Sequence, residues 1–233
     1  MKISLAQLSP VPDNFIDNIS KHCALAKEAA SEGADLILFP EMSLTGYLRE
    51  GADKFGITVE DERLQPLRQV SKDADLTLAV GAPLSLPDGL YIATLIVMPT
   101  GAIKYYLKRN LHEGEDAYFL QGNLSQEPVT IAGKKVWFAI CSDINNPKHF
   151  YEGVVKGCDI IASSIFYSKE GVSKAHAILQ ENAGHYKVPI VMSNFTGYVW
   201  GMDSGGKSAA WNSKGISVLE MAISEEGQYT IDI

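Results

Sequence analysis

Apolar residues in this chain gather into short unbroken runs, and between the runs they recur every three or four positions. The run ISLAQL (3–8) has the make-up of a first strand, and DLILF (35–39) is a buried strand stopped by Pro40. Between them Phe15, Ile19, Cys23, Ala26 and Ala30 keep helical spacing, with Asp13 and Asn14 placed to cap the start and Gly33 to end the helix. A second helix fits roughly 61–73, followed by a strand at 76–80. Runs 90–98 and 102–107 flank Pro99-Thr100-Gly101 as a hairpin does. KVWFAI (135–140) is another buried strand. Helices near 147–157 and 172–187 then alternate with strands 159–165 and 188–193, and the tail, roughly 207–232, reads as a closing hairpin with an edge strand. Strands apolar on both faces need helices packed on them, so the pattern predicts an α/β fold. No linker or low-complexity stretch interrupts it, which predicts one domain over 1–233. Periodicity alone leaves a four-layer α-β-β-α sandwich and a single doubly wound sheet both open.

Composition narrows the setting. A chain of 233 residues, 46% hydrophobic and 21% charged, has enough apolar surface to bury a full core. A formal charge of −8 disfavours nucleic acid, whose phosphates call for a basic patch, and the one basic cluster, 104–109, is short. No run of eighteen apolar residues exists to enter a membrane, and MKISLAQLSP lacks the pattern of a secretory signal. Cys23, Cys141 and Cys158 are odd in number and widely spaced, which argues against a disulfide framework and for a reducing compartment. A cytoplasmic protein is the expectation.

Two strands run straight into reactive side chains: DLILF into Pro40-Glu41, and KVWFAI into Cys141-Ser142-Asp143. Open α/β sheets place their sites at that edge. At a strand-to-helix turn, Cys141 would be exposed beside backbone N–H groups able to hold an oxyanion; the alternative is an inert cysteine at the end of a core strand. Glu41 is either a carboxylate emerging at the sheet edge or an ordinary one that caps the next helix or pairs with a lysine. Lys108, after the run 103–107, points into a cleft or into solvent. None of the five histidines stands in an arrangement diagnostic of a cysteine–histidine peptidase, and no Cys/His metal-ligand spacing is present.

Taken together, FPEMSLTGY (39–47), YLKRNLHEGEDAYFLQG (106–122) and ICSDINNP (140–147) resemble, in order and spacing, the catalytic blocks of the nitrilase superfamily of carbon–nitrogen hydrolases. Flanking GADLILF, KGCDIIASS, QENA, MSNFTG and GGKSAAWNSKG extend the resemblance over nearly the whole chain. It implies the four-layer sandwich. It further implies Glu41 as general base, Cys141 as nucleophile, Lys108 with the backbone N–H after Cys141 as oxyanion stabiliser, and Glu115 as a second glutamate that positions substrate or Lys108. Tyr47, Ser142, Asn145, Ile165 and Phe166 become the substrate-binding candidates. The reaction so implied is hydrolysis of a small amide or N-carbamoyl compound through a thioester, with no metal or organic cofactor. Cys-Ser-Asp in place of Cys-Trp-Glu favours amides over nitriles. ω-Amidases of this superfamily carry an arginine after the cysteine that this chain lacks, which counts against a carboxylate-bearing substrate unless Lys148 or another cation substitutes. A catalytically idle binding protein is the competing class. The resemblance also implies a homodimer or higher homo-oligomer, for which the stripe Val172, Ala175, Leu179, Ala183 and Tyr186 is a candidate face; the same stripe would pack on the sheet in a monomer.

Overall fold

The computed structural model describes residues 1–122 and 126–233. Its strands are β1 (Lys2–Gln7), β2 (Leu36–Leu38), β3 (Thr77–Leu86), β4 (Gly89–Val97), β5 (Ile103–Leu107), β6 (Val129–Ile131), β7 (Lys134–Ile140), β8 (Ile160–Ser164), β9 (Ile190–Ser193), β10 (Tyr198–Val199), β11 (Met202–Asp203), β12 (Ala209–Trp211), β13 (Ser217–Glu220) and β14 (Gly227–Asp232). Its α-helices are α1 (Phe15–Ser31), α2 (Gln65–Ala74), α3 (Pro147–Val155) and α4 (Val172–Tyr186). Two six-stranded sheets form, ordered β14-β1-β2-β3-β4-β5 and β13-β12-β9-β8-β7-β6. Each has a parallel trio at its heart, β1-β2-β3 in one and β7-β8-β9 in the other, with antiparallel strands outside.

Alternation along the strands settles the layering. Ile3, Leu5, Leu36 and Leu38 of the first sheet share one core with Val136, Phe138, Ile140 and Val191 of the second. The intervening residues Ile37, Phe39, Leu78 and Val80 face α1 and α2, while Trp137, Ala139, Ile161 and Met192 face α3 and α4. The order is therefore α-β-β-α, and the doubly wound alternative is excluded. Val172, Ala175, Leu179 and Ala183 are buried in the α4 layer, so the stripe considered for a subunit face packs on this chain's own sheet.

Most expected elements form within a few residues. Asn14 caps α1 by accepting from the Asp17 N–H at 3.1 Å, as its position predicts. The largest departure is β3, which runs to Leu86 through Pro83 and pairs along its whole length with β4. Midway along it Gly81 passes so close to the Glu41 turn that a Cβ there would lie 2.2 Å from the Met42 nitrogen. The short strand β6 and the β10–β11 hairpin have no counterpart in the apolar pattern. Among the described residues no helix is long and apolar enough to cross a membrane.

Candidate active site

Three strand exits meet at one edge of the sandwich. Beyond β2, Pro40 leads to Glu41, whose N–H donates to the Ile165 carbonyl beyond β8 at 3.4 Å; Met42 then takes a left-handed backbone, φ 52°. Ser43 steadies this turn: its Oγ accepts from the Gly81 N–H (3.1 Å) and lies 2.8 Å from His22 Nε2. At the end of β5 the Lys108 N–H still bonds to Ile92 O of β4, and its own carbonyl accepts from Gly122 N–H, both at 2.8 Å. At the end of β7 the chain turns at Cys141, φ 42°, into a short 3-10 helix, Cys141–Asn145. A non-glycine residue in that region is strained.

The side chains converge in direct contact. Lys108 Nζ donates to Glu41 Oε1 and to Glu115 Oε1, each at 2.7 Å, and all three side chains are almost wholly buried. Glu115 also accepts from Tyr47 OH through Oε1 and from the His112 N–H through Oε2, each at 2.7 Å, so its bonds are spent on holding Lys108 and the loop after it. Glu41 Oε2 has no hydrogen-bond partner among the described residues. The Cys141 thiol lies 3.5 Å from the Phe166 carbonyl oxygen.

Burial sets the protonation states. It pushes Glu41 up to about 7; Lys108 opposes the shift and Glu115 adds to it. Burial also pushes the Cys141 thiol up, with the Glu41 charge adding and Lys108 opposing. For Lys108 burial works against the ammonium, but Glu41, Cys141 and Glu115 outweigh it and hold the group well above the ordinary lysine value. The site therefore rests with a neutral thiol, a fixed cation and a carboxyl group poised between its two forms near neutral pH.

Asp143 ties two of the exits together. Its buried carboxylate accepts from Ile140 N–H (2.9 Å) and Tyr106 OH (2.5 Å) through Oδ2. Through Oδ1 it accepts from Arg109 N–H (3.1 Å), Asn110 N–H (2.7 Å) and Asn110 Nδ2 (2.9 Å). One side chain thus clamps the loop behind Lys108 to the turn that carries Cys141.

A narrow cavity of about 70 Å³ opens above the cluster, walled by Glu41, Tyr47, Arg49, His112, Glu115, Cys141, Phe166, Trp200 and Met202. Of the substrate-binding candidates, Tyr47 and Phe166 line it, with ring centroids 5.0 Å apart. Three other candidates lie outside this wall. The Ile165 side chain is buried among the α3 and α4 layer and offers the site only its carbonyl. Asn145 is exposed and donates to Tyr167 OH at 3.5 Å, while Ser142 turns its hydroxyl into the interior. For Ser142 and Asn145 the 3-10 turn after Cys141 carries the side chain off the cavity, whereas Ile165 follows β8 and packs into the helix layer while its neighbour Phe166 takes the wall. Arg49, His112, Trp200 and Met202 were not anticipated. The last two arrive on the β10–β11 hairpin, whose tip is Trp200-Gly201 with φ of 48° and 76°. Among the described residues no group of three or more His, Cys, Asp or Glu side chains is arranged to hold a metal ion.

A four-layer α/β sandwich with a buried Glu–Lys–Glu cluster beside a cysteine at a strand end is the architecture of carbon–nitrogen hydrolases. The sequence profile of that family, Carbon-nitrogen hydrolase, matches residues 2–233, and the chain belongs to it, within the nitrilase superfamily. It is 30% identical over 230 residues to a protein of Pyrococcus abyssi named nitrilase, an alignment covering 97% of this chain and 86% of the relative. It is 26% identical to the glutamine-dependent NAD(+) synthetase of Thermotoga maritima over the whole of this chain but only 42% of that longer protein. The fold matches a mutant of the amidase from Nesterenkonia sp. AN1 in complex with butyramide, with TM-score 0.90 at 21% identity, covering 100% of this chain and 90% of that one.

Proposed function

We propose that the chain is an amidase-type carbon–nitrogen hydrolase that cleaves a small linear amide or N-carbamoyl compound through a Cys141 thioester. The observation that carries this reading is the direct, buried bridge from Lys108 to Glu41 and Glu115 beside a strained cysteine. Such a cluster is costly to bury, and its charges suit acyl transfer.

Because the thiol rests neutral, the nucleophile is made during attack. Glu41 Oε2 takes the thiol proton as sulfur bonds to the amide carbon, and the carbonyl electron pair moves onto oxygen. The oxyanion is held by the third N–H of Lys108, the one spent on neither glutamate, and by the Ser142 N–H. Collapse re-forms the carbonyl and breaks the C–N bond; Glu41 returns the proton to the departing ammonia or amine. Water then gives a proton to Glu41, attacks the thioester carbon, and releases the acid and the thiol. A Glu41 poised near 7 suits both directions of transfer.

The test is ammonia release from a panel of short amides, N-carbamoyl compounds and nitriles, with Cys141→Ala as control. Turnover of one amide class, lost in Cys141→Ala and Lys108→Ala but in no single histidine variant, is the expected result. The name of the Pyrococcus abyssi relative favours a second reading, a true nitrilase, and faster turnover of nitriles than of the matching amides would establish it. No turnover, together with no acyl adduct on Cys141 by mass spectrometry, would leave the idle-binder reading.

A further inference from the structure

We infer that Arg49 forms a carboxylate subsite at the mouth of the cavity, so that the amide hydrolysed here carries a carboxylate at the end remote from the scissile bond. The inference rests on the amidase reading above and names its substrate class.

Arg49 walls the cavity and Lys108 is bonded to two of its wall residues, and the situations of the two cations differ. Lys108 is matched by two carboxylates at 2.7 Å. Arg49 has no carboxylate in contact among the described residues, and Glu115 and Glu41 act on it only from farther off: its Nε donates to Tyr47 OH (2.9 Å), one terminal nitrogen to the Glu113 carbonyl (2.9 Å), and the other meets His112 Nδ1 at 3.3 Å. Among the described residues no ion pair involves it. A guanidinium has five N–H groups, so each terminal nitrogen keeps a donor free.

The fork is also held in place. Its central carbon stands 4.5 Å over the Trp200 ring and 5.6 Å from the Tyr47 centroid, between the hairpin tip and the floor of the cavity. A half-buried guanidinium packed on an aromatic ring has lost part of its hydration, and an anion presented along the cavity restores what the surrounding neutral acceptors do not. The rings of Tyr47, Phe166 and Trp200 supply an apolar wall beside Cys141, suited to a short methylene chain between the two polar ends. The cavity is small, so that chain is short. This arrangement answers the missing arginine after the cysteine: the cation arrives from the loop beyond Tyr47 instead, whereas Lys148 is exposed on α3 and is not part of the cavity wall.

The experiment compares kcat/KM for succinamate and glutaramate with that for butyramide and valeramide, in the wild type, Arg49→Gln and Arg49→Lys. The monoamide acids should be preferred by about tenfold or more, the worth of one charge-assisted hydrogen bond pair. Arg49→Gln should bring that ratio close to one, chiefly through KM, and Arg49→Lys should keep part of it, because charge survives while the fork does not. The ratio cancels any general damage to the fold. Equal use of acids and neutral amides by the wild type, or a preference that survives in Arg49→Gln, overturns the inference. If no amide of the panel is hydrolysed, the amidase reading fails separately, and calorimetry decides the subsite. Glutarate binding to Cys141→Ala that disappears in the Cys141→Ala, Arg49→Gln double variant upholds it; absence of binding overturns it.

Discussion

At Glu41 two buried carboxylates compete for one ammonium ion. Losing water raises its pKa to about 7, Lys108 pulls it down, and Glu115 pushes it up. As a base it acts only when ionised, so kcat/KM should rise with pH along a limb centred near 7. Glu115→Gln removes the neighbouring negative charge and leaves Lys108 a single anionic partner; the limb should move to lower pH while kcat falls, because Lys108 loses part of its anchorage. A limb unmoved in a pH–rate comparison of the two proteins would show that Glu115 does not act on Glu41. Glu41, Lys108, Cys141 and Glu115 were legible because each sits inside a short local block. Arg49 was not, since nothing near it in the chain says that Trp200 will cover it.

Among the elements, β3 carries the heaviest constraint. Its pairing beyond Val80 escaped the apolar pattern because Pro83 and Gly81 argue against a strand, yet both are accommodated within the β3–β4 pairing. Gly81 is required by proximity: a Cβ would stand 2.2 Å from Met42 N and 2.4 Å from Pro40 O, both backbone atoms of the Glu41 turn. Gly81→Ala should therefore lower stability by about 1–3 kcal/mol, as overpacking does. It should also cut kcat more than tenfold by moving Glu41, a displacement of order 1 Å being worth about a hundredfold. Urea unfolding together with kcat measures both, and a stability loss with kcat intact would mean that the turn yields without shifting the carboxylate. The hairpin β10–β11 was illegible for a different reason. Two residues per strand are too few to show a period, and exposed Tyr198 and Trp200 read as surface.

For the molecule as a whole, the layer order could not be read from periodicity, since a strand buried on both faces looks the same under one sheet or two. It follows instead from which residues meet. The helix layer over the first sheet also holds a second displaced proton equilibrium. His22, stacked 4.1 Å from Phe39 and bonded to Asn18 O and Ser43, is pushed down to about 4 by burial. Its stabilising contribution is complete above pH 6.5 and is lost on acidification toward 4. Glu41 has the opposite sign: its raised pKa favours the fold below pH 4.5, and that contribution is lost as pH rises through 7. Between about pH 4.5 and 6.5 the two slopes cancel. Glu41→Gln should then make unfolding free energy rise with pH across that window relative to wild type, and His22→Gln should make it fall, each by up to about 1.4 kcal/mol per pH unit. Denaturant melts at pH 5 and 6.5 test this, and parallel behaviour of both variants with the wild type would refute it.

The left-handed backbone at Cys141 bears on the history of the chain as well as its chemistry. A side chain there costs about 1 kcal/mol that glycine would not, which offsets part of the burial lost in Cys141→Gly, so that variant should unfold within about 1 kcal/mol of the wild type. A lineage released from turnover would meet that nearly neutral replacement as an open door, one codon step from cysteine. The thiol at this strained bend is what the proposed reaction requires.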